Sequence, residues 1–148
     1  MMRSTQGLGF VVIGMAIFGA TLAYAENLAE KKKHKEQQEY LQKELDYTNE
    51  KCGTKITAEF DWSKSKLEDL DTYSGYGYCE SVLDALESIC EDADGKAAIQ
   101  KDVKKVVCKF GAKGSRSVAL KKGVIEWVID WDAANNPDYV KAYLMKTL

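Results

Sequence analysis

Within VIDWDAANNPDYV, residues 128–140, Asp130, Asp132, Asn135, Asn136 and Asp138 place oxygen-bearing side chains close together. Carboxylates and amides at that density can hold a calcium ion. A helix–loop–helix calcium loop started at Asp130 needs Gly at 135 and Glu at 141, where the chain has Asn and Lys. The junction between a strand and a helix uses the same residues. Asn136 is a good helix cap, Pro137 is favoured at the first helical position, and Asp138 suits the positive end of the helix dipole. Capping is the expected role, and no metal ligand is assigned. DADGK at 92–96 lacks the rest of a calcium loop and reads as a helix stop and restart.

A second set of carboxylates lies on expected strands. Glu59 and Asp61 share the outer face of one, and Glu126 and Asp130 the outer face of another. If those strands are neighbours, four carboxylates meet on one surface, as a carboxylate-dependent hydrolase or a cation site requires. The plainer role for them is the solvated side of a half-buried sheet. Tyr73, Tyr76 and Tyr78, in DTYSGYGYC, stand on a glycine-flexed loop and are candidates for binding or for covering a small core. His34 is the one histidine and lies in a charged stretch where nothing is expected to bury it, so histidine triads and histidine-rich metal sites are closed to the folded domain. Ser63, Lys64, Ser65 and Lys66 fall in an open connection, which does not suit a serine–lysine dyad. There is no GxGxxG and no phosphate-binding loop. No catalytic residue and no cofactor are assigned.

Residues 1–25 read as a signal peptide: an arginine near the start, the apolar run GLGFVVIGMAIFGATL, and AYA before Glu26. The alternative is a membrane anchor through residues 7–25, and membrane contact is expected only if that segment is retained. An exported chain with four cysteines, no CxxC among them, is expected to form two disulfides. Over the whole chain 21 basic residues face 23 acidic ones, a balance that gives no support for nucleic-acid binding. The charge is nevertheless uneven: residues 59–94 hold eleven acidic and two basic side chains, and 96–123 nine basic and one acidic.

The elements that would position these groups follow from periodicity. Residues 26–50 form a charged helical leader of strong helix formers, with apolar Leu41 and Leu45 only in the second half, so the first half is expected to stay solvated. Residues 52–148 form one α+β domain. In it, TKITAEFDW at 54–62 alternates as a strand with Ile56, Ala58, Phe60 and Trp62 inward. Helices are expected over about 79–91 and from about 95, then a meander of strands at 105–111, 115–121 and 124–131, then a C-terminal helix. A two-residue turn at Lys122–Gly123 sets Val118 opposite Trp127 and Leu120 opposite Ile125; a turn at 112–114 sets Cys108 opposite Val118 and Val106 opposite Leu120. The fold class is thus a small antiparallel sheet of about four strands. Two central helices and a terminal helix cover its face bearing Phe60, Val118, Leu120, Trp127 and Trp131.

Functionally, the sequence favours a non-catalytic protein-interaction or structural module, periplasmic or secreted, with an envelope or extracellular protein as partner. Its alternatives are a small-ligand or cation-binding domain and the hydrolase above. The cysteine pairing is sharper. Cys79 and Cys90 are eleven residues apart, about 16 Å along a helix and beyond the Cα separation of about 4.4–6.8 Å that a disulfide permits. If that helix runs antiparallel to the first strand, Cys90 returns beside Cys52, and the next reversal brings Cys108 to Cys79. Non-reducing peptide mapping should therefore recover Cys52 joined to Cys90 and Cys79 to Cys108, and a peptide joining Cys52 to Cys79, the main rival, would show that the chain takes another path.

Overall fold

The computed structural model describes residues 17–64, 75–130 and 136–148, with side chains from Leu28 onward. Trp131, Asp132 and Tyr73 lie outside the described residues. The elements are α1 (Ile17–Cys52), β1 (Thr57–Asp61), a 3-10 turn (Trp62–Lys64), α2 (Gly75–Ile89), α3 (Ala93–Asp102), β2 (Lys105–Phe110), β3 (Ser117–Lys121), β4 (Val124–Ile129) and α4 (Pro137–Thr147). They make an α+β fold in which one four-stranded mixed sheet carries α1 against β1, α2 against β4 and α4 against β3.

Helix α1 is 36 residues long, about 54 Å at 1.5 Å per residue. Leu41, Leu45, Thr48 and Cys52 are buried along it. They recur at helical spacing, and the stripe continues upward through half-buried Gln38, Gln37 and His34. The helix is thus docked well above Leu41, in the stretch expected to be solvated. Polar contacts do this work: Gln37 Oε1 accepts from the Tyr76 amide at 2.9 Å, and Gln38 Nε2 donates to the Ala58 carbonyl at 2.9 Å. At its lower end Thr54 N donates to Asn49 O and Gly53 N to Glu50 O, with Gly53 at φ +67°, the left-handed turn that satisfies a helix's last carbonyls.

Helix α2 is the central packing element. Cys79, Val82, Leu83, Ala85, Leu86 and Ile89 are buried along it, a stripe at three- and four-residue spacing. Its first turn begins at Gly75, so the stretch through Gly77 and Tyr78 is helical rather than an open connection. Both its ends are covalently held, for the disulfides are Cys52–Cys90 and Cys79–Cys108, with Cα separations of 5.4 and 5.8 Å. The antiparallel course of α2 against β1 that was needed for this pairing is therefore present. Asp92 then caps α3 by accepting from the amides of Asp94 and Gly95. Gly95 lets that helix start close, since a Cβ there would lie 2.5 Å from the Ile89 carbonyl oxygen.

Strand order is β1-β2-β4-β3, with β1–β2 and β2–β4 parallel and only β3–β4 antiparallel. The hairpin across Lys122 (φ 51°) and Gly123 (φ 82°) has the expected register, Val118 with Trp127 and Leu120 with Ile125. The expected pairing of β2 with β3 does not occur. Strand β4 lies between them, and the Gly123 carbonyl accepts from the amides of Lys104 and Lys105, fixing the start of β4 to the start of β2. Strand β4 suits the centre because two of its three outer residues, Val124 and Val128, are apolar and the third, Glu126, is paired with Lys109, whereas five-residue β3 ends in Ser117 and Lys121. Inward lie Phe60, Val106, Cys108, Phe110, Ile125, Trp127 and Ile129. The Trp127 indole N–H donates to the Tyr78 carbonyl at 3.0 Å, satisfying the one polar atom of the largest side chain there. Asn136 caps α4 as expected, accepting from the Tyr139 amide. Because Leu45 is 1% exposed and Leu28 61%, Leu45→Ala should cost about 2–4 kcal/mol in urea unfolding and Leu28→Ala less than about 0.5 kcal/mol. Equal small losses would mean that α1 is not part of the core.

Candidate functional site

Among the described residues every helix packs on one side of the sheet, leaving the other side uncovered. The backbone pleat sends alternate residues there. Across the four strands the registers set Thr57, Lys105, Val124 and Lys121 on one level, Glu59, Val107, Glu126 and Ala119 on the next, and Asp61, Lys109, Val128 and Ser117 on the third. Val107, Val124, Val128 and Ala119 are half-buried, so an apolar patch lies among the charges.

The four carboxylates do not meet. Strand β2 separates β1 from β4 by two strand spacings, about 9.6 Å, and its lysines take the carboxylates individually. Lys105 Nζ is 2.7 Å from Glu59 Oε1, and Lys109 Nζ is 3.0 Å from Glu126 Oε2. Asp61 is held below the usual carboxylate range by hydrogen bonds from Ser63, its hydroxyl and its amide, and then by the charges of Lys109 and Lys64. Asp130 is buried and accepts from the Gly114 amide, tying down the loop between β2 and β3 instead of facing water with Glu126. The hydrolase expectation required β1 and β4 to be neighbours, and the sheet order removes that basis. Among the described residues no three His, Cys, Asp or Glu side chains converge as a metal site.

At the end of the face where β1, β2 and β4 finish lies a cleft of about 390 Å³, lined among others by Asp61, Ser63, Lys64, Lys109, Gly111 and Ser115. Gly111 is required here, since a Cβ would come 2.6 Å from Val128 Cγ1. Nothing in the periodicity marked this cleft, because it is made by the parallel pairing of strands whose ends are distant in sequence.

The tyrosines are divided. Tyr78 packs half-buried against the core, and Tyr76 stacks on Tyr40 of α1 at 4.9 Å between ring centroids. Tyr40 and Tyr47 are exposed, unlike Tyr76 and Tyr78. His34 is also not free of the domain: its ring lies on Trp62 at 4.1 Å and 9°, and burial holds its pKa below 6.5 against the opposing pull of Glu30. Comparison of the chain with known protein families, characterised proteins and solved structures finds no match.

Where α1 and α2 run side by side, Glu80 and Asp84 lie four residues apart on one helix face. The pKa of Glu80 is raised by burial first, then by Asp84, Glu44 and Glu87; that of Asp84 is raised by burial, then by Glu44. Folding therefore favours their protonated forms. That contribution is fully present below their unfolded values and is lost as pH rises through the folded ones. Glu80→Gln should accordingly stabilise the protein at neutral pH by about 0.2–0.5 kcal/mol, the size of a screened like-charge pair. Urea unfolding should show the gain at about pH 7 and none at about pH 3; a gain at both would assign it to something other than charge.

Proposed function

We propose that the protein is a non-catalytic interaction module, periplasmic or secreted, exported behind residues 1–25 and working through the uncovered face of its sheet. One observation carries this reading: a half-buried apolar patch of Val107, Ala119, Val124 and Val128 is edged by ion pairs on a face that no described element covers. An apolar centre with a charged rim is the usual anatomy of a protein interface. Two disulfides in so small a domain support export to an oxidising compartment. No described helix is long and apolar enough to cross a membrane; contact with a membrane belongs to the reading in which residues 7–25 are retained.

The cleft at the strand ends favours a second reading, a small-ligand-binding domain. Its volume of about 390 Å³ is within the range of about 300–1,000 Å³ common for ligand sites. Open sheets with parallel strands also bind ligands beyond their carboxyl ends.

A photo-cross-linking residue tests the first reading. Placed at Val107 or Val128 and activated in the native compartment, it should give protein adducts, whereas at Met145, exposed on α4, it should give none above background. Equal labelling from both sides, or none from Val107, would sink the proposal.

A further inference from the structure

The occupant of the uncovered face can be read from the order of its charges. Strand β1 presents Glu59 and Asp61, β2 presents Lys105 and Lys109, β4 presents Glu126, and β3 presents Lys121. In sheet order the columns are negative, positive, negative, positive. We infer that this face pairs with the same face of a second copy, the two sheets packed about a two-fold axis that runs along the strands. The inference rests on the reading of this face as the working surface and names its partner.

Such an axis preserves strand direction and reverses the lateral order. Strand β1 then faces β3 of the second copy and β2 faces its β4, so every negative column meets a positive one. The levels interlock too. Lys105 faces Val124, Val107 faces Glu126 and Lys109 faces Val128, so Glu126 of the second copy enters between two lysines and meets a valine floor. Glu59 likewise faces Ala119, with Lys121 one level away. A two-fold across the strands would set each column on itself, like charge on like charge. The pattern therefore selects one packing and opposes the other.

The valines and Ala119 supply the attraction, and the charges set register and partner. Each column meets its opposite on a face where Lys105 and Lys109 already hold Glu59 and Glu126 of their own chain, so these four charges are not buried unpaired. The face spans about 19 by 17 Å, from four strands each about 4.8 Å wide and about five residues along them. That is small beside the roughly 800 Å² per partner of a standard interface, so the dimer is weak and reversible. Because α1 runs opposite to β1, with His34 beside Trp62 and Cys52 just before the strand, the two α1 helices leave this dimer at the same end.

Sedimentation equilibrium of the disulfide-bonded protein up to about 1 mM should show its average mass rising toward twice that of the chain, as for a weak pair. Glu126→Lys makes β4 positive, and Lys105→Glu with Lys109→Glu makes β2 negative. Each variant alone then opposes like columns and should associate at least about ten-fold more weakly. Mixed in equal amounts they become complementary in all four columns, and association should return. Amide shifts of the unmutated protein on dilution, at Val107, Glu126 and Val128, give a readout independent of whether the variants fold. A wild-type protein that stays monomeric at the highest concentration, or shifts on dilution confined to the helical side, overturns self-pairing. So does a mixture that associates no better than its components when circular dichroism shows both folded. Self-pairing and the broader interaction reading fail separately, since a monomer whose Val107 still captures another protein refutes only the former.

Discussion

Helix α2 is held at both ends by covalent bonds to different parts of the chain, Cys90 to the end of α1 and Cys79 to β2. The arrangement of the other elements depends on this. The bonds close loops with separations of 38 and 29 residues, worth about 3.5–4 kcal/mol each in the chain-entropy account. That is a large share of the roughly 5–15 kcal/mol on which a folded domain rests. The bonds also fix direction: with the start of α2 at Cys108 and its end at Cys52, the chain must return through α3 before β2 begins, and β1 and β2 are consequently parallel.

The two edges of the sheet are finished by side chains of the helices that flank it. On the β1 edge Asn49 pairs with both backbone groups of Ile56, receiving its N–H at 2.8 Å and donating to its carbonyl at 2.9 Å, while Gln38 donates to Ala58 O. An amide side chain thus stands in for the next strand. On the β3 edge the Tyr143 hydroxyl accepts from the Leu120 amide at 3.1 Å. Unsatisfied edges invite further strands, and here each edge has a helix against it. The broad side opposite the helices is the part of the sheet left to meet something else.

Much of this was legible because the relevant physics is local. The Lys122–Gly123 turn sets the register of β3 on β4, the spacing of Cys79 and Cys90 forbids their union, and Asn136-Pro137 announces a helix. The docking of α1 was hidden because Gln37, Gln38 and Asn49 hold it by hydrogen bonds, and polar residues at helical spacing leave no hydropathy signal. His34 was misplaced for the same reason, since only the position of Trp62 in space explains its burial.

The sheet order was hidden by parity. In the expected meander Cys108 faced Val118 and Val106 faced Leu120; in the structure Cys108, Trp127 and Val118 share one level, and Val106, Ile125 and Leu120 another. Inserting β4 between β2 and β3 leaves the side chains of Lys105–Phe110, Ser117–Lys121 and Val124–Ile129 on their expected faces, because a strand's alternation tells which side a residue takes and not which strand lies beside it. The consequence falls on the candidate site. The inward pattern survives a change of neighbour intact, whereas the outer face is a sum over neighbours. The same alternation that promised a cluster of carboxylates yields, in the true order, columns of alternating charge. What that face can do follows from strand order, the quantity that alternation leaves open.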